Sequence, residues 1–209
     1  KIGYAGSEYT ADVTAEDSAK TVAEKINALT SITTVTAEAT THALLASTDG
    51  SATTYTLNIN GIQTGSFSFS SSEVSGAVTA INAISGSSGV TATATTANKV
   101  LLYDADGDDI TIENVASGTG LSLQAIKSDG STEVSGVVTL QANGSNDTSR
   151  VIGTLRLSSG ATFDVTQSFP SSPKCNSSMV RINEIHGKGI PKDWIELKNI
   201  GSVSCNIKG

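Results

Sequence analysis

Aromatic residues, cysteine and proline are scarce in this chain of 209 residues, and long apolar runs are absent. Phe, Trp and Tyr make up 4% of the residues, so a core must be built from Val, Ile, Leu and Ala. Such a core suits small repeated layers better than one deep ligand pocket. No apolar run approaches the length of a membrane span, which predicts that the chain does not insert into a membrane.

Positive charge is also scarce, with 13 Lys and Arg against 20 Asp and Glu and a net charge of −7. The positive residues are scattered along the chain. Binding to nucleic acid depends on clustered Lys and Arg that neutralise phosphates. The sequence therefore predicts no nucleic-acid partner.

The most informative segment, residues 54–103, predicts two strands, a helix and two further strands. Apolar and polar residues alternate at 55–59 and again at 67–69, the period of half-buried strands, with a hairpin at Gly61. Strands are also predicted at 90–94 and 100–103.

The pattern between these strand pairs has the period of a helix. The apolar residues at helical spacing are Val74, Ala77, Val78, Ile81 and Ile84. Ser71 or Ser72 is the expected N-cap, and Gly86 is expected just past the end of the helix.

Three words of this segment resemble the flagellin-IN (hook-IN) motif of bacterial flagellin outer domains and of hook-associated and cap proteins. They are YTLNING, AVTAINAISGSSGVTATAT and VLLYDADGDDITIENV, the last expected to be a hairpin. The resemblance implies a surface-displayed, non-enzymatic domain of an extracellular filament or of an accessory part.

Residues 1–48 are predicted to be a truncated first copy of the same unit, because TVAEKINALTSITTVTAEATTHALLAS aligns with the later helix and strands. A strand at Tyr9–Val13 and a strand pair at Thr33–Ala39 and His42–Ala46 flank a helix, with a capping-box signal at Thr14 and Asp17. The helix face consists of Ala19, Val22, Ala23, Ile26 and Leu29. The alternative is that any α+β domain rich in Ala, Thr and Ser looks self-similar.

Residues 49–168 are predicted to hold the second copy and additional hairpins. Leu121–Ile126 and Val134–Leu140 are strands around a turn at Asp129-Gly130, and Asp49-Gly50 is another turn. Val151–Leu157 and Ala161–Val165 are expected to form a hairpin around Gly160.

Residues 169–178 form the best linker candidate, and the composition changes beyond them. Residues 179–209 resemble the start of a lamin-tail domain, an immunoglobulin-like β-sandwich. The words that carry the resemblance are INEI at 182–185, DWIELKN at 193–199 and NIKG at 206–209. In that family these words are the first strands, and Glu184 and Glu196 are framework positions rather than a catalytic carboxylate pair.

Asp104, Asp106 and Asp108 form the densest acidic cluster, and their alternate spacing offers oxygens to Ca²⁺. A complete EF-hand loop fails, because Asp109 stands at the glycine position and Val115 at that of the bidentate glutamate. Asp and Gly also suit a turn on their own account, which is what the flagellin-IN resemblance implies here. Both interpretations, the turn and the calcium site, stay open.

Cys175 and Cys205 are the only cysteines, and in an exported protein a pair this close predicts a disulfide; the alternative is two reduced thiols. His42 and His186 are too isolated to form a zinc site. Asn143, Asn146 and Asn176 stand in N-x-S/T sequons, although the many Ser and Thr are better candidates for glycans.

The sequence as a whole predicts an α+β fold of small antiparallel sheets, each covered by a short helix, followed by a short β segment of another type. No catalytic motif and no cofactor site is recognised, so the chain is expected not to be an enzyme. The resemblance implies the outer region of a flagellin at the cell surface, with neighbouring filament subunits and host surfaces as partners. The alternatives are a hook-associated or cap protein, or the stalk module of a secreted adhesin.

Overall fold

The structure is a computed structural model that describes residues 1–116, 120–142 and 146–167, together with the backbone of strands 180–186 and 194–199. The chain divides into unit 1, Lys1–Thr166, and unit 2, Gln167–Gly209. Strands dominate unit 1 and its helices are short. Within the described residues, no helix combines the length and the apolar character needed to cross a membrane.

The helices of unit 1 are α1 Ala19–Asn27, α2 Thr30–Thr33, α3 Ser75–Asn82 and α4 Ser85–Ser88. The strands up to α4 are β1 Ile2–Tyr4, β2 Ser7–Tyr9, β3 Thr36–Ser47, β4 Thr53–Ile59, β5 Ile62–Gln63 and β6 Phe67–Phe69. Those after it are β7 Val90–Ala94, β8 Val100–Asp104, β9 Ile110–Ala116, β10 Leu121–Ile126, β11 Glu133–Leu140, β12 Thr148–Val151, β13 Thr154–Ser158 and β14 Asp164–Val165.

Every strand pairing in unit 1 is antiparallel. The main sheet has the order β11-β10-β3-β8-β7, with β13 also paired to β3. A second sheet has the order β12-β9-β4-β5, with β6 also paired to β4, and a small sheet joins β14, β1 and β2. The sheet composition confirms the prediction of several antiparallel sheets accompanied by short helices.

The main and second sheets bury one common core together with α3. Fully buried side chains in it include Leu45, Tyr55, Phe69, Leu102 and Ile112. A second, smaller core lies under α1, where Ala23 and Ile26 meet Ile2, Val35 and Ala37. The predicted apolar helix faces are the ones buried, because the alternation of the strands and the 3.6-residue period of the helices place these residues on one side.

The strand β3 differs from the predicted strand pair of residues 33–46. It runs unbroken from Thr36 to Ser47, because Thr40 and Thr41 between the two predicted strands are β-branched residues that favour extended backbone rather than a turn. Its first part pairs with β13, and its second part pairs with β8 and β10. The residues before and after position 41 therefore belong to one continuous ladder.

Two predicted hairpins are also wrong, because the strands pair with distant partners. β8 joins β3 and β7, whereas β9 joins β4 and β12. β13 pairs with β3, and β14 pairs with β1. The hairpin at Gly61 is confirmed: Asn58 pairs with Gln63, and the turn residues Asn60 and Gly61 have φ of 50° and 83°.

The predicted helix caps need correction. α1 begins after Ser18, whose Oγ accepts the Thr21 N–H, rather than at the Thr14 capping box. α3 has Val74 at its N-cap position and no side-chain cap, so neither Ser71 nor Ser72 caps it. Gly86 lies inside α4, and Gly89, with φ of 76°, is the left-handed residue that ends it. Of the strand predicted at 9–13, only Tyr9 is extended, in β2.

The two helix–strand segments make the same contacts at an offset of 55 residues, from Asn27 to Asn82. The Asn27 side chain binds both backbone groups of Ala37, accepting its N–H at 2.8 Å and donating to its carbonyl at 2.9 Å. Asn82 makes the same pair of bonds with Ala92, again at 2.8 and 2.9 Å. Further equivalent pairs are Thr33 and Ser88, which accept the N–H of Val35 and Val90, and Thr34 and Gly89, which have positive φ.

Unit 2 contains one described hairpin, β15 Val180–His186 with β16 Trp194–Asn199. These are the two strands expected from the words at 182–185 and 193–199. Glu184 stands opposite Glu196 in the register, and the ladder shifts between Ile182 and Glu184. His186 ends β15 rather than lying in a Gly-rich turn.

Candidate functional site: the acidic loop and Lys20

The acidic cluster forms the loop that carries the chain from β8 in the main sheet to β9 in the second sheet. Asp104 ends β8 on the buried face of the strand and is only 3% exposed. Its Oδ1 accepts the N–H groups of Asp106, Gly107 and Asp108 at 3.0 to 3.2 Å. Burial raises the pKa of Asp104, while these three hydrogen bonds and the nearby Asp108 act as smaller effects.

The loop lies against the first turn of α1. The backbone N–H of Lys20, one of the donors that a helix leaves unpaired at its start, reaches the Gly107 carbonyl at 3.1 Å. The Ser18 hydroxyl donates to Asp108 Oδ1 at 3.2 Å. Asp108 therefore places negative charge at the positive end of the helix dipole.

The ammonium group of Lys20 lies between two carboxylates. Its Nζ is 2.9 Å from Asp108 Oδ2 and 3.3 Å from Asp106 Oδ2. The hydrogen bonds to Asp108 and then to Asp106 raise the pKa of Lys20 above its ordinary value. Lys20 is half exposed, so the pairing is screened by water and its contribution to stability is small.

Beside this cluster is an open polar depression of about 530 Å³. It is lined by Lys20, Asn60, the α4 segment 86–89 and the aspartates 104, 106 and 108. The depression has few apolar walls, unlike typical pockets for small organic ligands. Its chemistry is that of paired charges rather than of an unpaired acid or base.

The three candidate calcium ligands are therefore near one another but already engaged. Asp104 Oδ1 is held by backbone amides, and Asp106 and Asp108 are bonded to Lys20. Within the described part of the chain, no group of three His, Cys, Asp or Glu side chains converges in a way that could hold a metal ion. Calcium binding stays a prediction, and the turn predicted here is in fact a connection between two sheets.

His42 lies on the outer face of the main sheet, in β3 as predicted. Its ring centroid is 4.7 Å from that of Tyr103, and its Nδ1 is buried without a hydrogen-bond partner. Burial lowers the pKa of His42, and the charge of Asp129 opposes this shift. A shallow groove of about 400 Å³ with Thr, Leu and Tyr side chains runs past it.

The other predicted turn acids have structural partners. Asp129 accepts the N–H groups of Ser131 and Thr132 at 2.8 and 2.7 Å, which lowers its pKa and closes the predicted turn between β10 and β11. Asp49 lies in the connection between β3 and β4, and its carboxylate accepts the Tyr55 hydroxyl at 2.5 Å. Both are therefore turn residues with structural hydrogen bonds.

Several predicted features lie outside the described residues. These are the Cys175–Cys205 disulfide, the linker 169–178, the sequons at Asn143 and Asn176, and the word at 206–209. The side chains of Glu184, Glu196 and His186 also lie outside them. Asn146 is described and is exposed in the connection between β11 and β12.

Sequence reasoning missed Lys20, Asn27 and Asn82 as residues that hold unit 1 together. Lys20 gave no signal, because its partners follow more than 80 residues later. The two asparagines did give one, since each stands in an Ile-Asn-Ala word near the end of a helix.

Comparison with known proteins gives no assignment: no protein-family model matches the chain, and no curated protein is significantly similar to it.

Proposed function

We propose that this chain is the outer, surface-exposed region of a bacterial flagellin, with a structural and non-catalytic role in the filament. One observation carries the proposal: a helix–strand unit occurs twice with the same side-chain contacts. These two units contain the words that resemble the flagellin-IN motif. The chain would set the surface chemistry of the filament, outside the cell.

The paired asparagines support the interpretation of the units as copies of one motif. A chance similarity of Ala-, Thr- and Ser-rich sequence would not require Asn27 and Asn82 to hold strands in the same two-bond geometry. The left-handed residues Thr34 and Gly89 also stand at equivalent places after α2 and α4. Repeated units of this kind extend a surface without building a catalytic pocket.

The polar chemistry of unit 1 agrees with a display role. The cluster around Lys20 has its charges paired, and its aspartates cap a helix. The net charge of −7 favours solubility at a surface exposed to water. No cofactor is needed for this role.

The experiment is immunogold electron microscopy of intact source cells, with antibodies affinity-purified on residues 1–166. Labelling along the whole filament is expected. Labelling confined to the filament tip or to the hook junction would replace flagellin by a cap or hook-associated protein. Labelling of the cell body with bare filaments would overturn the flagellar assignment in favour of the adhesin.

The matched control is the same antibody preparation depleted on the immobilised chain, which must label nothing. Filaments sheared from the cells and dissociated at low pH provide a second readout. Peptides of residues 1–166 should be present in this fraction in equal amount to peptides from the rest of the filament protein.

A further inference from the structure

The end strand of the main sheet, β11, has no partner on its outer edge among the described residues, since it pairs with β10 alone. Its outward N–H and C=O groups form a template for another strand. Val137 is 58% exposed and Val138 is 40% exposed. Because neighbouring residues of a strand point to opposite faces, the edge is apolar on both faces.

Other edges in the same sheet are covered by side-chain amides. Ala92 of β7, at the opposite end of the sheet, has both backbone groups bonded by Asn82, and Asn27 does the same for Ala37 of β3. An amide side chain presents a donor and an acceptor as a neighbouring strand would. The described residues place no such amide beside residues 137–140.

The usual devices that prevent pairing at an edge are nearly absent from β11. The strand contains neither Pro nor Lys. It does have a bulge, where Gly136 has φ of 102° and the register with β10 shifts between Gln124 and Ile126. The bulge precedes Val137, and residues 137–140 follow it in regular register with β10.

The charge of the strand favours a second copy of the same chain as the partner. Two copies, each with a net charge of −7, repel one another over most of their surface. On β11 the single charged residue is Glu133, and Lys99 Nζ lies 2.8 Å from its Oε1. Residues 137–140 are thus an uncharged edge where two copies can approach without like-charge repulsion.

We propose that β11 is a self-association edge, at which two copies of the chain pair antiparallel and join their main sheets. A two-fold axis perpendicular to the sheets keeps equal residues on the same face. Val137 of one copy then lies opposite or almost opposite Val137 of the other. This interaction goes beyond the proposed function and does not depend on it.

The experiment is sedimentation velocity of the full chain over a wide concentration range, with reductant present so that Cys175 and Cys205 cannot link copies. The wild-type chain is expected to form dimers as its concentration rises. Val137→Lys should weaken dimerisation by more than about tenfold, because two ammonium groups meet at the axis. The matched control is Val165→Lys, on β14 of the small sheet, where the valine is 60% exposed; it should dimerise like wild type.

Two further measurements keep the outcome clear. An equal mixture of Val137→Lys and Val137→Glu chains should recover dimers that neither forms alone. In the wild type, amide exchange at residues 137–140 should slow as dimers form, which does not require any variant to fold. A wild-type chain that stays monomeric at every concentration, or equal weakening by Val137→Lys and Val165→Lys, would overturn the proposal.

Discussion

Asn27 and Asn82 show how one side chain takes the place of a missing strand. A primary amide has a donor and an acceptor side by side, so it satisfies both outward backbone groups of the residue it faces. Ala37 and Ala92 are buried, and without the amides their N–H and C=O groups would lose hydrogen bonds away from water. Each asparagine therefore joins a helix to a strand and closes an edge.

His42 predicts a pH dependence of stability, because burial holds its pKa in the folded chain below the ordinary 6.5. The unfolded chain then binds more protons than the folded one, so stability contributed by neutral His42 is lost as pH falls below 6.5. His42→Gln should flatten this part of the profile. The measurement is urea unfolding from about pH 8 to about pH 5, the range in which histidine titrates.

The matched control for that experiment is the other histidine of the chain, His186. His186→Gln is expected to leave the profile of unit 1 as in wild type. A profile that keeps its full slope in His42→Gln would assign the pH dependence to another group.

Among single residues, the sequence predicted types better than partners. The Asp and Gly of 104–109 were correctly interpreted as residues that reverse the chain, since that preference is local. The position of Lys20 beside Asp106 and Asp108 depends on packing α1 against a loop more than 80 residues away. No periodicity or spacing encodes such a contact.

α3 packs so closely on β6 that one residue type is required. A Cβ on Gly76 would lie 2.5 Å from the Ser68 carbonyl oxygen, a backbone atom that cannot move alone. Gly76→Ala should therefore destabilise unit 1 by roughly 1–3 kcal/mol, the usual cost of overpacking, even though alanine favours helices. Chemical denaturation followed by circular dichroism measures this change.

Gly86 is the matched control, because it lies in α4 with no atom within 4 Å of its added Cβ. Gly86→Ala should leave stability unchanged or raise it by up to about 1 kcal/mol through reduced freedom of the unfolded chain. Equal destabilisation by both substitutions would mean that helix flexibility, rather than the contact with Ser68, requires glycine at position 76.

Helices and strands were predictable where their period was clean, as in α1, α3, β4 and β10. Pairing was predictable only across the short turns at Gly61 and Asp129, where the turn itself sets the register. The expected hairpins after β8 and β13 failed, because their connections cross to other sheets and the choice is made by burial in a shared core. The single strand β3 was divided in two because the analogy with β7 and β8 outweighed its own lack of turn residues.

The two cores of unit 1 share β3, which predicts that they unfold together. Ile26 belongs to the small core and Ile81 to the large core, at equivalent places in the two helix–strand segments. Ile26→Ala and Ile81→Ala should each cost about 2–5 kcal/mol, as core truncations do. Both should lower the temperature of the same calorimetric transition.

Separate movement of two transitions would contradict this expectation. The large core would then remain folded in Ile26→Ala, and the predicted boundary at residues 48 and 49 would be a true domain boundary. The full chain should be used, and the Ile32→Ala variant, which removes a side chain that is 51% exposed, serves as the control.

The small sheet brings the two ends of unit 1 together. Ile2 stands opposite Val165, and Lys1 and Thr166 exchange two backbone hydrogen bonds, at 2.7 and 3.0 Å. A pulling force on the two ends would therefore open β1 from β14 one rung at a time, as a zipper opens. The load would be spent on that short ladder before it reached either core, so unit 1 would behave as a side loop that sheds tension rather than as a link that carries it.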